Sequence, residues 1–130
     1  MRRLTMAATA LTLAALPSFA DPVHGMWKTQ PDDNGNFGHV RMQTCPNGKI
    51  CGGLERAFNS AGQAIDSPNI GRALVWDMEP QADGTYRNGR VFAPDRDNTY
   101  NARMELRGNV LGVSGCIAFI CREANWTRID

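Results

Sequence analysis

The sequence predicts an all-β fold, a small eight-stranded up-and-down antiparallel barrel held by two hairpin disulfides. Three observations lead there. Beyond residue 20 no stretch sustains the 3.6-residue apolar period of a helix; short alternating runs are broken instead by Gly, Pro, Asn and Asp. The last hairpins can be set in register from two independent assumptions that agree. Four cysteines fall into two close pairs, Cys45 with Cys51 and Cys116 with Cys121, in a chain that begins like an exported protein.

Residues 1–20 have the layout of a secretory signal: Arg2 and Arg3, then an uncharged apolar run from Leu4 to Leu16, then Ser18-Phe19-Ala20 as a small-x-small cleavage site. The run is too short to span a bilayer, and no later stretch approaches the roughly 20 apolar residues of a membrane helix. Ala20 rather than Cys precedes Asp21, which argues against a lipid anchor at this site. The expected location is therefore periplasmic or secreted, with residues 21–130 forming one domain. Loss of Arg2 and Arg3 lowers the 14 basic residues by two, against 13 acidic ones. Without a basic excess, nucleic acid and anionic membrane surfaces are poor partners.

In chain order, the first strand is expected over residues 24–30 and contains Gly25-Met26-Trp27. Pro31 to Asn36 is a loop, and the second strand runs over 37–45. Pro46-Asn47-Gly48-Lys49 makes a turn, since Pro fixes one φ and Asn-Gly tolerates φ > 0. The third strand is 50–58. A polar stretch from Asn59 to Gly71 follows, with room for a single helical turn. The fourth strand is expected over 72–79, the fifth over 85–92 and the sixth over 99–107, where Tyr100, Ala102, Met104 and Leu106 share one face. The last two strands form the hairpin from Leu111 to Arg128.

Register follows from two suppositions. A two-residue turn at Gly108-Asn109 puts Leu106 opposite Leu111 and Met104 opposite Val113. Pairing Cys116 with Cys121 puts Val113 opposite Ala124 and Leu111 opposite Trp126. One apolar face results, and a slip of one residue would scatter it. Pairing Cys45 with Cys51 likewise sets Met42 opposite Leu54. Both disulfides then lie on outer faces at hairpin ends; a cross-pairing such as Cys45 with Cys121 would need two hairpin tips to meet. Trp76 can face Gly89 or Asn88, depending on the turn before it. Eight sequential strands avoid exposed edges by closing, with first and last paired, around an interior that takes side chains or one small ligand. A flattened sandwich without a cavity is the alternative.

Gly25-x-Trp27 on the first strand with Arg128 on the last resembles the lipocalin and broader calycin arrangement, in which the Arg packs over the Trp and plugs the closed end. A longer set of motifs resembles a bacterial exported family, domain of unknown function 2147. These are Gly25-x-Trp27, Asp66-x-Pro-Asn69, Arg72-Ala-Leu-Val-Trp76, Gly89-x-Val-Phe-x-Pro94-Asp95, Tyr100-x-Ala-x-Met-x-Leu106, Gly115-Cys116, Ile120-Cys121-Arg122 and Trp126-Thr127-Arg128. The family often has Gly-Lys-Thr-Tyr where this chain has Asp97-Asn98-Thr99-Tyr100. The resemblance implies a lipocalin-like barrel and no reaction.

Candidate chemistry is sparse. His24 and His39, the only imidazoles, assemble into no triad or zinc pattern with the cysteines. The acidic loops Asp32 to Asn36 and Asp95 to Asn98 miss the EF-hand spacing and read as turn chemistry. Asp66 with Asp95 as a glycosidase pair has nothing to fix its geometry. No cofactor or metal is expected, and the chain reads as a binding module rather than an enzyme. A small apolar or amphipathic ligand would sit in the interior, with Trp27, Trp76, Arg72, Tyr100, Met104 and Trp126 as expected contacts and Arg128 as a structural residue. The rim or outer surface is the bland location for Arg72 and Arg90. The alternative is a filled barrel acting through its surface, as an envelope interaction module or protease inhibitor. The apolar tip Ile117-Ala118-Phe119-Ile120 would then meet a protein partner.

Overall fold

The computed structural model describes residues 20–130. The expected export signal, apart from Ala20, lies outside the described residues. Nine strands follow in order: β1 (Gly25–Lys28), β2 (Phe37–Thr44), β3 (Ile50–Phe58), β4 (Ala64–Ile65), β5 (Ala73–Pro80), β6 (Thr85–Ala93), β7 (Asn98–Arg107), β8 (Val110–Ile117) and β9 (Ile120–Arg128). Eight of them close into one antiparallel ring. The sheet order β2-β1-β9-β8-β7-β6-β5-β3-β4 is joined at its ends by a β2–β3 pairing, and β1 meets β9 through Trp27↔Arg128 and Lys28↔Thr127. The two-residue β4 is an addition on the edge of β3, where Ala57 pairs with Ile65. The stretch between residues 59 and 71 thus holds a short strand and turns among the described residues, not a helical turn.

The closing hairpins have the expected register. Leu106 faces Leu111, Met104 faces Val113, Val113 faces Ala124, Leu111 faces Trp126, and Cys116 faces Cys121. Four of these side chains, Met104, Leu111, Val113 and Trp126, are buried, and Leu106 and Ala124 pack against them. The core also takes Val40 and Met42 from β2, Ile50 and Leu54 from β3, and Val75 and Met78 from β5.

The β2–β3 hairpin differs from expectation. Met42 faces Gly52, not Leu54, and Leu54 faces Val40, with a bulge between His39 and Val40. Cys51 sits opposite Gln43, while the Cys45 amide bonds the Lys49 carbonyl. The Cys45–Cys51 disulfide therefore crosses the ladder diagonally, with Cα atoms 5.9 Å apart; Cys116–Cys121 joins directly opposed residues 4.0 Å apart. Gly52 points into the barrel, where an added Cβ would press on Met42 and come within 2.8 Å of Val40 Cγ1. No larger residue fits there.

The pole holding residues 21–25 and 128–130 is closed. Val23 is fully buried, and its carbonyl accepts a hydrogen bond from Trp27 Nε1 at 2.9 Å. The Arg128 guanidinium lies 4.4 Å from the Trp27 ring centroid and donates to the carbonyls of His24 (2.9 Å) and Pro22 (2.6 Å). Gly25, at φ 129°, has no room for a Cβ, which would lie 2.7 Å from the Asp130 carbonyl and 3.0 Å from Arg128 Nη1. Buried Tyr86 donates its hydroxyl to Asp21 Oδ1; burial first, then that hydrogen bond, holds its ionisation well above the ordinary phenol range.

Candidate functional site

Four connections gather at the opposite pole: residues 29–36 between β1 and β2, the segment from β3 through β4 to β5, residues 94–97 between β6 and β7, and the β8–β9 tip. Each contributes lining residues to one cavity of about 700 Å³. Its depth is walled by Leu54, Leu74, Phe92, Val113 and Trp126, all buried, with half-buried Val91, Tyr100 and Ala124 above them. Its exposed rim carries Arg96, Arg122, Asp95, Ile117 and Ile120. An apolar depth of this size, beneath polar side chains that come mostly from the connections around the opening, has the form of a small-molecule site.

Local sequence explains the loops. Asp32 turns the β1–β2 connection back on itself: its Oδ1 accepts from the amides of Asn34 and Asn36 at 2.9 and 3.0 Å, and Gly35 adopts φ 80°. That carboxylate is engaged by backbone. Among the described residues no group of three or more His, Cys, Asp and Glu is arranged to hold a metal ion.

The residues singled out in the sequence part into three sets. Tyr100 and Trp126 line the cavity. Trp27 and Met104 are buried in the core outside its lining. Trp76 and Arg72 are elsewhere. Trp76 touches the core but lines an outer cleft with Arg87, Arg90, Asn101 and Arg103. It faces Arg90, neither Gly89 nor Asn88. The cause is a pair of irregularities. Gly52 and Gly53 pair with Val75 and Ala73, so Leu74 is an extra residue and Val75 takes the inward position. Asp77 and Asn88 then adopt φ 59° and 62°, which restores Met78 and Tyr86 to the interior. Arg72 is exposed, its guanidinium 3.4 Å from the Phe92 ring centroid, so it covers the outside of a cavity wall.

Arg122 was not among the expected ligand contacts. With Cys116 opposite Cys121, Gly115 falls opposite Arg122, on the face of Ala124 and Trp126, so parity alone would have marked it. Gly115 leaves space beside Val91 and Tyr100, each about 3.3–3.4 Å from where its Cβ would be. His39 lies outside the cavity lining, 4.5 Å from the Phe58 ring, with Arg56 and Lys28 near; burial and those two cations lower its pKa. His24 bonds Thr44 Oγ1 on the far side.

Residues 25–128 match the model of a family described as an uncharacterized protein conserved in bacteria, DUF2147. Among solved structures, the chain is similar to protein HP1028 from the human pathogen Helicobacter pylori, described as belonging to the lipocalin family. The TM-score is 0.65 at 15% identity, over 82% of each chain. No curated protein matches the sequence.

Proposed function

The chain belongs to this bacterial family, DUF2147, and from that premise we propose that it is an exported carrier, not an enzyme, that takes one small amphipathic ligand into its barrel. The observation that carries this reading is the 700 Å³ cavity, walled by buried apolar side chains and open at one pole. Ligand pockets commonly have volumes of about 300–1,000 Å³ and bury most of the ligand's surface. The apolar body would lie against Leu54, Leu74, Val113 and Trp126. Tyr100 and Arg122 are the polar anchors at the opening, suited to a hydrogen-bond-accepting or acidic head group. Export is supported by the signal-like residues 1–20 and by two disulfides, which persist in oxidising compartments.

The test is titration with an environment-sensitive apolar dye, followed by displacement with alkyl compounds bearing a carboxylate or a hydroxyl. Saturable binding near one equivalent is expected. Ala124→Phe, which fills the cavity from a half-buried wall position, should weaken binding at least tenfold, and Arg122→Ala should weaken only the carboxylate competitor. Binding that is unsaturable, or unchanged in Ala124→Phe, would remove the carrier reading.

A further inference from the structure

The β8–β9 tip breaks several rules of a soluble hairpin at once. Ile117, Phe119 and Ile120 are 68%, 101% and 80% exposed. Ala118 holds φ 53° in the two-residue turn, a conformation in which Gly would be free of the Cβ clash. The Cys116–Cys121 disulfide spans the rung just below, so the tip is braced in its projecting position. Of the other exposed large apolar side chains among the described residues, Ile65 lines the same opening and Ile70 follows Asn69, which also lines it, while Ile129 lies at the closed pole. The exposed apolar surface is thus concentrated around the cavity mouth, and Ile117 and Ile120 belong to both the tip and the rim.

We propose that this tip docks the open end onto a lipid bilayer, inserting Phe119 and Ile120 at the interface so that the mouth opens against the membrane. Two observations select a bilayer over a protein. Three projecting side chains, at roughly 150–200 Å² apiece, offer less than the ~800 Å² per partner of a stable protein interface, whereas shallow insertion of a few apolar groups suffices for reversible membrane contact. The charges lining the mouth are Arg96 and Arg122 against Asp32 and Asp95, which balance, so the contact is apolar and not steered by lipid charge. A bilayer is also a source and sink for an amphipathic ligand. That consequence, transfer, rests on the carrier reading; docking does not.

The experiment is vesicle flotation of residues 21–130, disulfides intact, with phosphatidylcholine vesicles and with 3:1 phosphatidylethanolamine–phosphatidylglycerol vesicles. Its comparison is the variant Phe119→Asp. That side chain is fully exposed and lies outside the cavity lining, so melting temperature and dye binding in the cavity should be unchanged. Wild type should float with both lipids, within about threefold of each other, and the variant should lose at least tenfold. A Phe119→Trp reporter should shift to the blue on binding. The proposal is overturned if wild type does not float, if the variant floats equally well, if only the anionic vesicles bind, or if the tip variant loses a polypeptide partner and no vesicle affinity. Dye binding is read separately, so an empty cavity would sink the carrier reading without touching this one.

Discussion

Replacing Arg128 by alanine removes three interactions at the closed pole. The guanidinium over Trp27, 4.4 Å from the ring centroid, contributes about 0.5–2 kcal/mol. The hydrogen bonds to the His24 and Pro22 carbonyls contribute about 1 kcal/mol each, since Pro22 is exposed and water can replace part of the loss. The sum is about 2.5–4 kcal/mol. For a domain of this size 1 kcal/mol moves the midpoint by roughly 3–5 °C, so Arg128→Ala should lower Tm by about 8–20 °C. Arg128→Lys keeps a cation but lacks the planar fork that stacks and bonds two carbonyls together, and about half the loss should remain. The assay is thermal unfolding followed by near-UV circular dichroism at neutral pH under non-reducing conditions. Arg103→Ala, on the exposed outer face, is the control expected near zero. Dye affinity should survive in the folded variant, because Arg128 lies at the pole away from the cavity. A midpoint within 2 °C of wild type, or full rescue by lysine, would refute the account of this cap.

Three further outcomes are expected. Changing Cys116 and Cys121 together to Ser opens a loop of sequence separation 5, and the chain-entropy model puts the loss at about 2 kcal/mol; equilibrium urea unfolding reads it as a lower midpoint at similar slope. Gly52→Ala forces a Cβ against Met42 and Val40 and should destabilise by about 1–3 kcal/mol in the same experiment, with an unchanged midpoint counting against the packing described. His39 has a folded pKa below its ordinary 6.5, so the unfolded chain binds more protons in that range and stability falls as pH drops from just above 6.5 through the lowered value. His39→Gln should flatten that part of a stability–pH curve; a slope identical to wild type would show the group to be uncoupled from folding.

The sequence carried register furthest where geometry left least freedom. Gly108-Asn109 is a two-residue turn, and Cys116 and Cys121 are directly opposed, so β7, β8 and β9 align from either end. Cys45 and Cys51 gave no such constraint, because a diagonal disulfide also satisfies the spacing while moving Met42's partner two residues along β3. Trp76 went outward for the same kind of reason. Alternation assumes one residue per rung, and the extra Leu74 together with left-handed Asp77 and Asn88 breaks that assumption where nothing in the residue types announces it. The cavity itself was illegible: Leu54, Leu74 and Phe92 are apolar strand residues like those of the core, and residue type does not show which of them border space. Arg122 was within reach, since the same register that placed Trp126 inward puts it on that face, two residues beyond Ala124 toward the opening.

Seven of the eight ring pairings join strands adjacent along the chain or separated only by the β4 segment; the exception is β1 with β9, held by two residue pairs. Closing that seam brings together segments about 100 residues apart, at a loop entropy of roughly 1.5RT ln n, or about 4 kcal/mol. Contacts so distant are expected to form after the local hairpins have assembled. Trp27 and Arg128 then act as a latch on a nearly finished meander. Interactions formed that late leave the folding rate almost unchanged and slow the unfolding rate instead. The Arg–Trp pair would in this way govern how long the barrel stays shut, and stopped-flow unfolding of Arg128→Ala should be faster than wild type while refolding keeps pace.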